Sequence, residues 1–262
     1  MRILLPPSEA KHAGGRGRSL AGRSASQPID EARRLTLDAL ATLLETPGKA
    51  PAALLLPPSV ADAAIEENLR VRSSPTLPAI RRYAGIVYDG LDVEHLSAAA
   101  QQLAGKQLLI FSGLFGVLRG ADPVPAYRVP AKAVLPGLGI AGSFWRPRLA
   151  TLLPPLLGRS GLIVDLRSTD YASMWQPARG SREASRLLTV RVLSRKPDGG
   201  LGVISYPSKL AKGKLAAALL ERAASGEPIR GAEDVRAVWA SLGGSDTRPG
   251  PASLGNALDL ME

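Results

Sequence analysis

Leu108-Leu109-Ile110-Phe111-Ser112-Gly113-Leu114-Phe115-Gly116-Val117-Leu118-Arg119-Gly120 begins as an unbroken apolar run of strand length and changes character at Ser112-Gly113. Four large apolar residues in a row, with no polar alternation, read as a buried strand. The small residues after it allow close backbone packing, and Leu114 to Gly120 is predicted as a short helix or turn. Asp122-Pro123-Val124-Pro125 must run extended or turned, because proline fixes φ, lacks a donor and pushes its predecessor out of the helical region. The stretch closes on Tyr127-Arg128. A buried strand feeding a Pro-braced loop with Arg119, Asp122, Tyr127 and Arg128 is a way for a rigid element to present polar groups in a cleft. The alternative is a strand followed by an ordinary loop.

Outward from this stretch, two further apolar runs read as strands. Arg2 to Leu5 is ended by Pro6-Pro7 and leads through Ser8-Glu9-Ala10-Lys11 into Gly14-Gly15-Arg16-Gly17-Arg18. That glycine pattern lacks the Gly-Lys-Ser/Thr ending of a phosphate loop, and Lys11 precedes the glycines, so a flexible basic loop is predicted. Gly161 to Leu166 is the second strand, with Arg167-Ser168-Thr169-Asp170-Tyr171 at its carboxyl end, where α/β sheets bind ligands. Helices are predicted from Asp30 to Leu44, from a Ser59 cap to Leu69, and from Ser97 to Leu103. Asp89-Gly90 reads as a tight turn and Trp145 as a core anchor. Leu187–Leu193 and Gly202–Tyr206 read as strands paired across the turn 196–200. After Pro207, Ser208 is expected to cap a helix with Lys209 and Lys212 one turn apart, Lys214 nearby, and Leu210, Leu215, Leu219 and Leu220 facing inward. Residues 1–240 are expected to form one domain and 241–262, rich in Gly, Ser and Pro, a mobile tail.

The 262 residues are 45% hydrophobic and 21% charged, proportions of a globular protein able to bury a core. There is no cysteine and there are two histidines, His12 and His95, which excludes disulfides, thiol chemistry and thiolate metal sites. No cofactor and no protein-built metal site are expected. The N-terminus has no signal-peptide pattern and no stretch approaches the ~20 apolar residues of a membrane helix, so a cytoplasmic protein without membrane contact is expected. The net charge is +10. Between Arg179 and Lys214 nine cations (Arg179, Arg182, Arg186, Arg191, Arg195, Lys196, Lys209, Lys212, Lys214) face two acids, whereas residues 221–262 are net negative. Such clustering favours a polyanionic partner.

Ser112-Gly113-Leu114-Phe115-Gly116-Val117-Leu118-Arg119, followed by Tyr127-Arg128, resembles the signature of the YaaA family of bacterial peroxide-stress proteins. That family reads Ser-Gly-Leu-Tyr-Gly-Val-Leu-Arg-Pro and then Pro-Tyr-Arg, so Phe115, Gly120 and Ala126 depart from it. Tyr83 to Leu91, Asp165 to Tyr171 and Ile204-Ser205-Tyr206 resemble other family segments in the same order. In the segment at Asp165, Ser168, Asp170 and Tyr171 match the family pattern while Asp165 and Arg167 differ. The resemblance implies a mixed α/β fold, one compact domain with a mixed central sheet, flanking helices and a positively charged central cleft. It implies a role in limiting peroxide damage to DNA, associated with low free iron. The family is also likened to helix-hairpin-helix DNA binders, but no hairpin glycine between matched helices is evident here.

Two functions follow. In the first, a stress protein, expected as a monomer, binds DNA non-specifically through Lys209, Lys212, Lys214 and the arginines of 179–196, with a steep salt dependence. In the second, an enzyme binds a small anionic or nucleotide-like ligand, with Ser112, Asp165, Asp170 and Lys11 as catalytic candidates. Lys11, Arg119, Tyr127, Arg128 and Ser168 would hold the anion. Tyr88 and Asp89 are placed near the same cleft. A third reading is that these polar groups simply hold the fold together.

Overall fold

A computed structural model describes residues 1–21, 28–46, 48–195, 200–246 and 256–261. One sheet dominates it, built from β1 (Arg2–Leu5), β2 (Leu108–Ser112), β3 (Gly116–Arg119), β4 (Ile163–Asp165), β5 (Leu187–Arg195), β6 (Leu201–Gly202), β7 (Ser245–Asp246) and β8 (Asn256–Met261). Across the sheet the order is β7-β8-β5-β4-β1-β2-β3, with β6 paired to β5. The five strands from β8 to β2 are parallel, and β3, β6 and β7 are antiparallel additions. This is the mixed sheet with flanking helices expected of the chain.

Successive residues of the central strands point to opposite faces. Ile3, Leu5, Leu108, Ile110 and Val164 join one core cluster, while Leu4, Leu109, Phe111 and Ile163 join a second. Burial on both faces explains why these strands are apolar without alternation. Each fully buried Leu or Ile contributes about 1.5–3 kcal/mol. The main helices are α1 (Pro28–Leu44), α2 (Ala61–Leu69), α3 (Ile86–Leu91), α4 (Ala98–Gln107), α5 (Ala141–Leu152), α6 (Ser205–Ala224) and α7 (Ala232–Ser241). The first cluster is covered by α3, α4, α6 and α7, through residues such as Leu91, Ala104, Leu215 and Val235. The second is covered by α5 with Phe144, Trp145 and Leu149, and by Met174 and Trp175. The edge strand β3 is covered by α1: Arg33 donates to the carbonyls of Phe115 (3.2 Å) and Val117 (2.7 Å), which occupies acceptors that an open edge would expose.

Of the short helix or turn expected after β2, the turn is present at residues 113–115, while residues 116–119 form strand β3. Gly116 adopts φ +71°, a conformation favouring glycine, and a Cβ there would overlap the Trp145 ring. The chain therefore doubles back as a hairpin, Ser112 opposite Gly116, and Trp145 Nε1 donates to Gly113 O at 2.9 Å. Asp89-Gly90 is not a turn but part of α3. Gly90 and Gly213 are where α3 and α6 cross: a Cβ on Gly213 would overlap Val87 O, and one on Gly90 would overlap Leu210 O. Close backbone approach, not turn chemistry, is what Gly90 supplies.

Several boundaries are corrected in the same way. Ser59 lies in a 3-10 turn, Pro58–Val60, and does not cap α2. Helix α6 starts at Ser205, so Ser205 and Tyr206 are helical rather than strand and Ser208 lies buried inside the helix. Ser97 does cap α4, accepting from Ala100 N, and the helix runs on to Gln107. The glycine-rich loop is pinned instead of flexible: Gly17 and Thr76 exchange backbone bonds of 3.0 and 3.1 Å, and His12 N donates to Arg82 O. The tail expected from 241 includes Asn256–Met261, which pairs along its whole length with β5 because Leu258 and Leu260 are fully buried in the core. Residues 247–255 and 196–199, including Lys196, lie outside the described residues.

Candidate functional site

The chain leaves β1 to build β2 and β3 on one side, then crosses back to build β4 and β5 on the other. In open α/β sheets the crevice beyond the carboxyl ends at such a reversal is where ligands bind. Register places these ends close together, with Leu5 opposite Ile110 and Leu4 opposite Asp165. Lys11, Ser112 and Arg167 belong to the segments that emerge there.

Tyrosine hydroxyls dominate this edge. Ser112 Oγ lies 2.6 Å from Tyr127 Oη, which lies 2.6 Å from Tyr83 Oη. Ser112 Oγ also accepts from Leu114 N (3.2 Å) and Phe115 N (2.9 Å). Those two bonds occupy its lone pairs, so its hydrogen goes to Tyr127 and that of Tyr127 goes to Tyr83. The donor order is therefore assigned from the bonding pattern as Ser112 to Tyr127 to Tyr83, leaving the Tyr83 hydrogen for a further acceptor. Tyr83 stacks on Tyr88 at 5.4 Å, and Phe115 meets Tyr127 edge-on at 5.0 Å. Tyr88 Oη donates to Pro6 O at 2.9 Å. Burial raises the pKa of Tyr83, Tyr88, Tyr127 and Tyr171, so all four are neutral phenols at neutral pH.

Lys11 reaches across this group. Its Nζ sits 4.3 Å from the Tyr127 ring centre and 5.3 Å from that of Tyr83. It donates to Ser8 O at 2.9 Å and, more weakly, to Glu9 O at 3.4 Å. The residue as a whole is half-buried, but its ammonium end is enclosed, and this desolvation lowers its pKa to about 8. Arg128 and Arg82 push the same way, while Glu9 and Glu67 oppose them. Desolvation wins over the carboxylates and over a cation–π attraction of about 0.5–2 kcal/mol.

Arg128 is presented by its backbone. Asn68 Oδ1 accepts from Arg128 N at 2.8 Å and Asn68 Nδ2 donates to Arg128 O at 3.1 Å, clamping the residue from α2. Its guanidinium stands 3.5 Å from Glu9. Arg82, absent from the sequence-derived candidates, is fully buried and donates to the carbonyls of Val124 (2.9 Å), His12, Gly14 (2.8 Å) and Pro75 (3.0 Å). It fixes the loop that carries Lys11. Nothing in the short run around Arg82 announces this, because its acceptors come from three separate segments.

The remaining candidates divide. Asp165 is buried in a two-pronged pair with Arg167, with contacts of 2.8 and 2.7 Å, and also accepts from Arg167 N at 3.1 Å. The Arg167 guanidinium lies 4.3 Å from the Phe111 ring centre and donates to Tyr171 O at 3.3 Å. Both oxygens of Asp165 are thus occupied by Arg167. Ser168 is exposed, and Asp170 is exposed in an ion pair with Lys132 at 2.9 Å. Arg119 stands opposite Leu109, toward the other end of β2, where it is exposed and raises the potential around Arg2. It is not gathered with Ser112, because the hairpin reverses the chain. Asp89 is exposed on α3.

The cations contiguous in sequence are dispersed in space. Arg182 and Arg186 precede β5 at its amino end, and Arg195 closes it, about 26 Å away along nine residues of strand. Arg186 donates to Gly161 O and Gly158 O, both at 2.9 Å, and Arg191 pairs with Asp259 at 2.6 Å. On α6, Lys209 and Lys214 are exposed, but Lys212 donates to Arg167 O at 3.3 Å, and burial lowers its pKa against the pull of Asp165. Among the described residues no group of three or more His, Cys, Asp or Glu side chains is placed to hold a metal ion, and no helix is long and apolar enough to cross a membrane.

A UPF0246 protein of Streptomyces coelicolor is 36% identical over 267 residues, covering 100% of this chain and 98% of its own length. A UPF0246 protein of Corynebacterium glutamicum is 34% identical over 244 residues, covering 93% of each chain. One from Polynucleobacter asymbioticus is 32% identical over 159 residues, 59% of this chain and 60% of its own. The family described as peroxide stress protein YaaA matches residues 1–235, which take in β1 through α6 and every residue of the tyrosine–lysine centre. This chain belongs to the YaaA family of peroxide stress proteins.

Proposed function

We propose that this member of the peroxide-stress family works through a small anionic ligand bound at the carboxyl edge of the sheet. Arg128 would hold the anionic group, and Lys11 and Tyr83 would address the rest of the ligand. The observation that carries this reading is the convergence of a desolvated lysine with an ordered Ser112–Tyr127–Tyr83 hydroxyl chain. Polar groups buried together at this location, with a perturbed amine among them, are the marks of a ligand site. Calorimetric titration with orthophosphate, a nucleoside monophosphate and a small dicarboxylate tests it. Saturable binding of at least one of them that weakens in Arg128→Ala and Lys11→Met is the expected result. No saturable binding, or binding indifferent to Arg128, would overturn it.

A second reading is non-specific DNA binding that limits oxidative damage to DNA in a state of low free iron. The net charge of +10 and the exposure of Lys209, Lys214, Arg179 and Arg182 support it. The dispersal of the cations over both ends of β5 argues for a broad electrostatic footprint in place of one basic cleft. Duplex binding across a salt series separates the two readings, because the surface cations, not Arg128, would set the slope.

A further inference from the structure

We propose that Lys11 is the nucleophilic amine of a carbonyl-binding site, forming a reversible imine with a small aldehyde or ketone whose anionic group is held by Arg128. The proposal rests on the anion-site reading and specifies the ligand's reactive half.

Three features converge on it. The first is the bonding of the amine. Two acceptors, Ser8 O and Glu9 O, take hydrogens from Lys11 Nζ. A neutral amine has two N–H groups and can keep both bonds, so losing the third proton costs no hydrogen bond and frees a lone pair. Burial of the ammonium lowers its pKa to about 8, which keeps a usable neutral fraction at physiological pH.

The second is a proton source. The hydroxyl chain runs from Ser112 through Tyr127 and ends on a Tyr83 hydrogen with no place inside the chain. Tyr83 is paired with Lys11 in an isolated antiparallel backbone bridge, so donor and amine share one neighbourhood. The third is the anion holder: Arg128, clamped by Asn68 through both backbone groups, adjoins Lys11 closely enough to depress its pKa.

The chemistry balances without an oxidant or reductant. The amine lone pair forms a C–N bond as the carbonyl π bond breaks, and Tyr83 protonates the oxygen to give a carbinolamine. The C–O bond then breaks, water leaves with a second proton, and the nitrogen gives up its two hydrogens. Tyr83 is returned to its starting state, and one amine and one carbonyl yield one imine and one water.

The test incubates the full chain with glyoxylate and cyanoborohydride at pH 8 and locates carboxymethyl-lysine by peptide mass spectrometry. Exposed Lys209 and Lys214 serve as internal references. Labelling of Lys11 at least about tenfold faster than either reference, slowed in Tyr83→Phe with the references unchanged, is expected. Arg128→Ala should raise the glyoxylate concentration for half-maximal rate, and, because Arg128 helps to depress the Lys11 pKa, should also lower the maximal rate at pH 8 in a way that a higher pH restores. Labelling of Lys11 no faster than Lys209, in protein whose circular dichroism is native, would overturn the imine. If orthophosphate still bound in an Arg128-dependent way in that case, the anion site would stand without the imine; if it did not, both would fall.

Discussion

The phenolic oxygens of Tyr83 and Tyr127 lie 2.6 Å apart, although the residues are separated by 44 positions in the chain. The pair joins the segment before α3 to the loop after β3, and Ser112 extends it to the end of β2. Tyr127→Phe deletes the middle of this chain, leaving the Ser112 hydroxyl without its acceptor in a dry environment. A loss of about 1–3 kcal/mol in unfolding free energy is expected. Urea denaturation measures it, and a change near zero would mean that the hydroxyls bond elsewhere.

Asp165 and Arg167 are expected to act as one structural unit. Removing one partner strands a buried charge, so Asp165→Ala should cost about 3–5 kcal/mol, whereas replacing both residues with apolar side chains of similar volume should recover much of that loss. A double-mutant cycle in denaturant reads this. Equal losses in the single and double variants would contradict the pairing argument.

Lys11 sets a pH signature. Its folded pKa lies near 8, below the ordinary lysine value of 10.5, so above pH 8 the unfolded chain binds more protons than the folded one. Stability should therefore rise as pH climbs from about 8 toward 10.5, and the cost of burying the ammonium is fully present below pH 8. In Lys11→Met the rise should be shallower by the share of Lys11, with the part that comes from buried Lys212 remaining. Thermal melts at pH 7, 8, 9 and 10 for both proteins check the difference, and parallel curves would remove Lys11 as its source.

Gly213→Ala should be strongly destabilising for a residue in the middle of a helix. Alanine ordinarily stabilises such a position by up to ~1 kcal/mol over glycine, but here the added methyl would overlap Val87 O on α3. Forced separation of the two helices is expected to cost about 1–3 kcal/mol or more. A variant as stable as the parent would show that α3 and α6 are not held at this distance.

The lysines of α6 should separate by function. If duplex DNA binds, Lys209→Glu with Lys214→Glu should flatten the dependence of log K on log salt by roughly one unit for each phosphate no longer neutralised. Lys212→Met should leave that slope unchanged, because Lys212 is turned inward onto Arg167 O. Fluorescence anisotropy across a salt series distinguishes these outcomes.

The amino-acid sequence by itself determined the buried strands at Arg2–Leu5, Leu108–Ser112 and Ile163–Asp165, the main helical faces of α1 and α6, and Trp145 as a core anchor. These are local properties, because an apolar run or a helical stripe declares its burial wherever it lies. Ser112 and Tyr127, both singled out in the sequence, meet at the end of β2. Partnership was not legible. That Asp165 is spent on Arg167, that Arg119 is carried away by the β2–β3 hairpin, and that Lys212 points inward depend on strand direction and helix rotation. Asn256–Met261 was hidden by the Gly- and Pro-rich residues before it, and its strand becomes stable only against β5. Tyr83 and Arg82 have roles that exist only once segments far apart in the chain are brought together. A hydrogen bond needs a partner within about 3 Å, and only the tertiary structure decides which residues meet that condition.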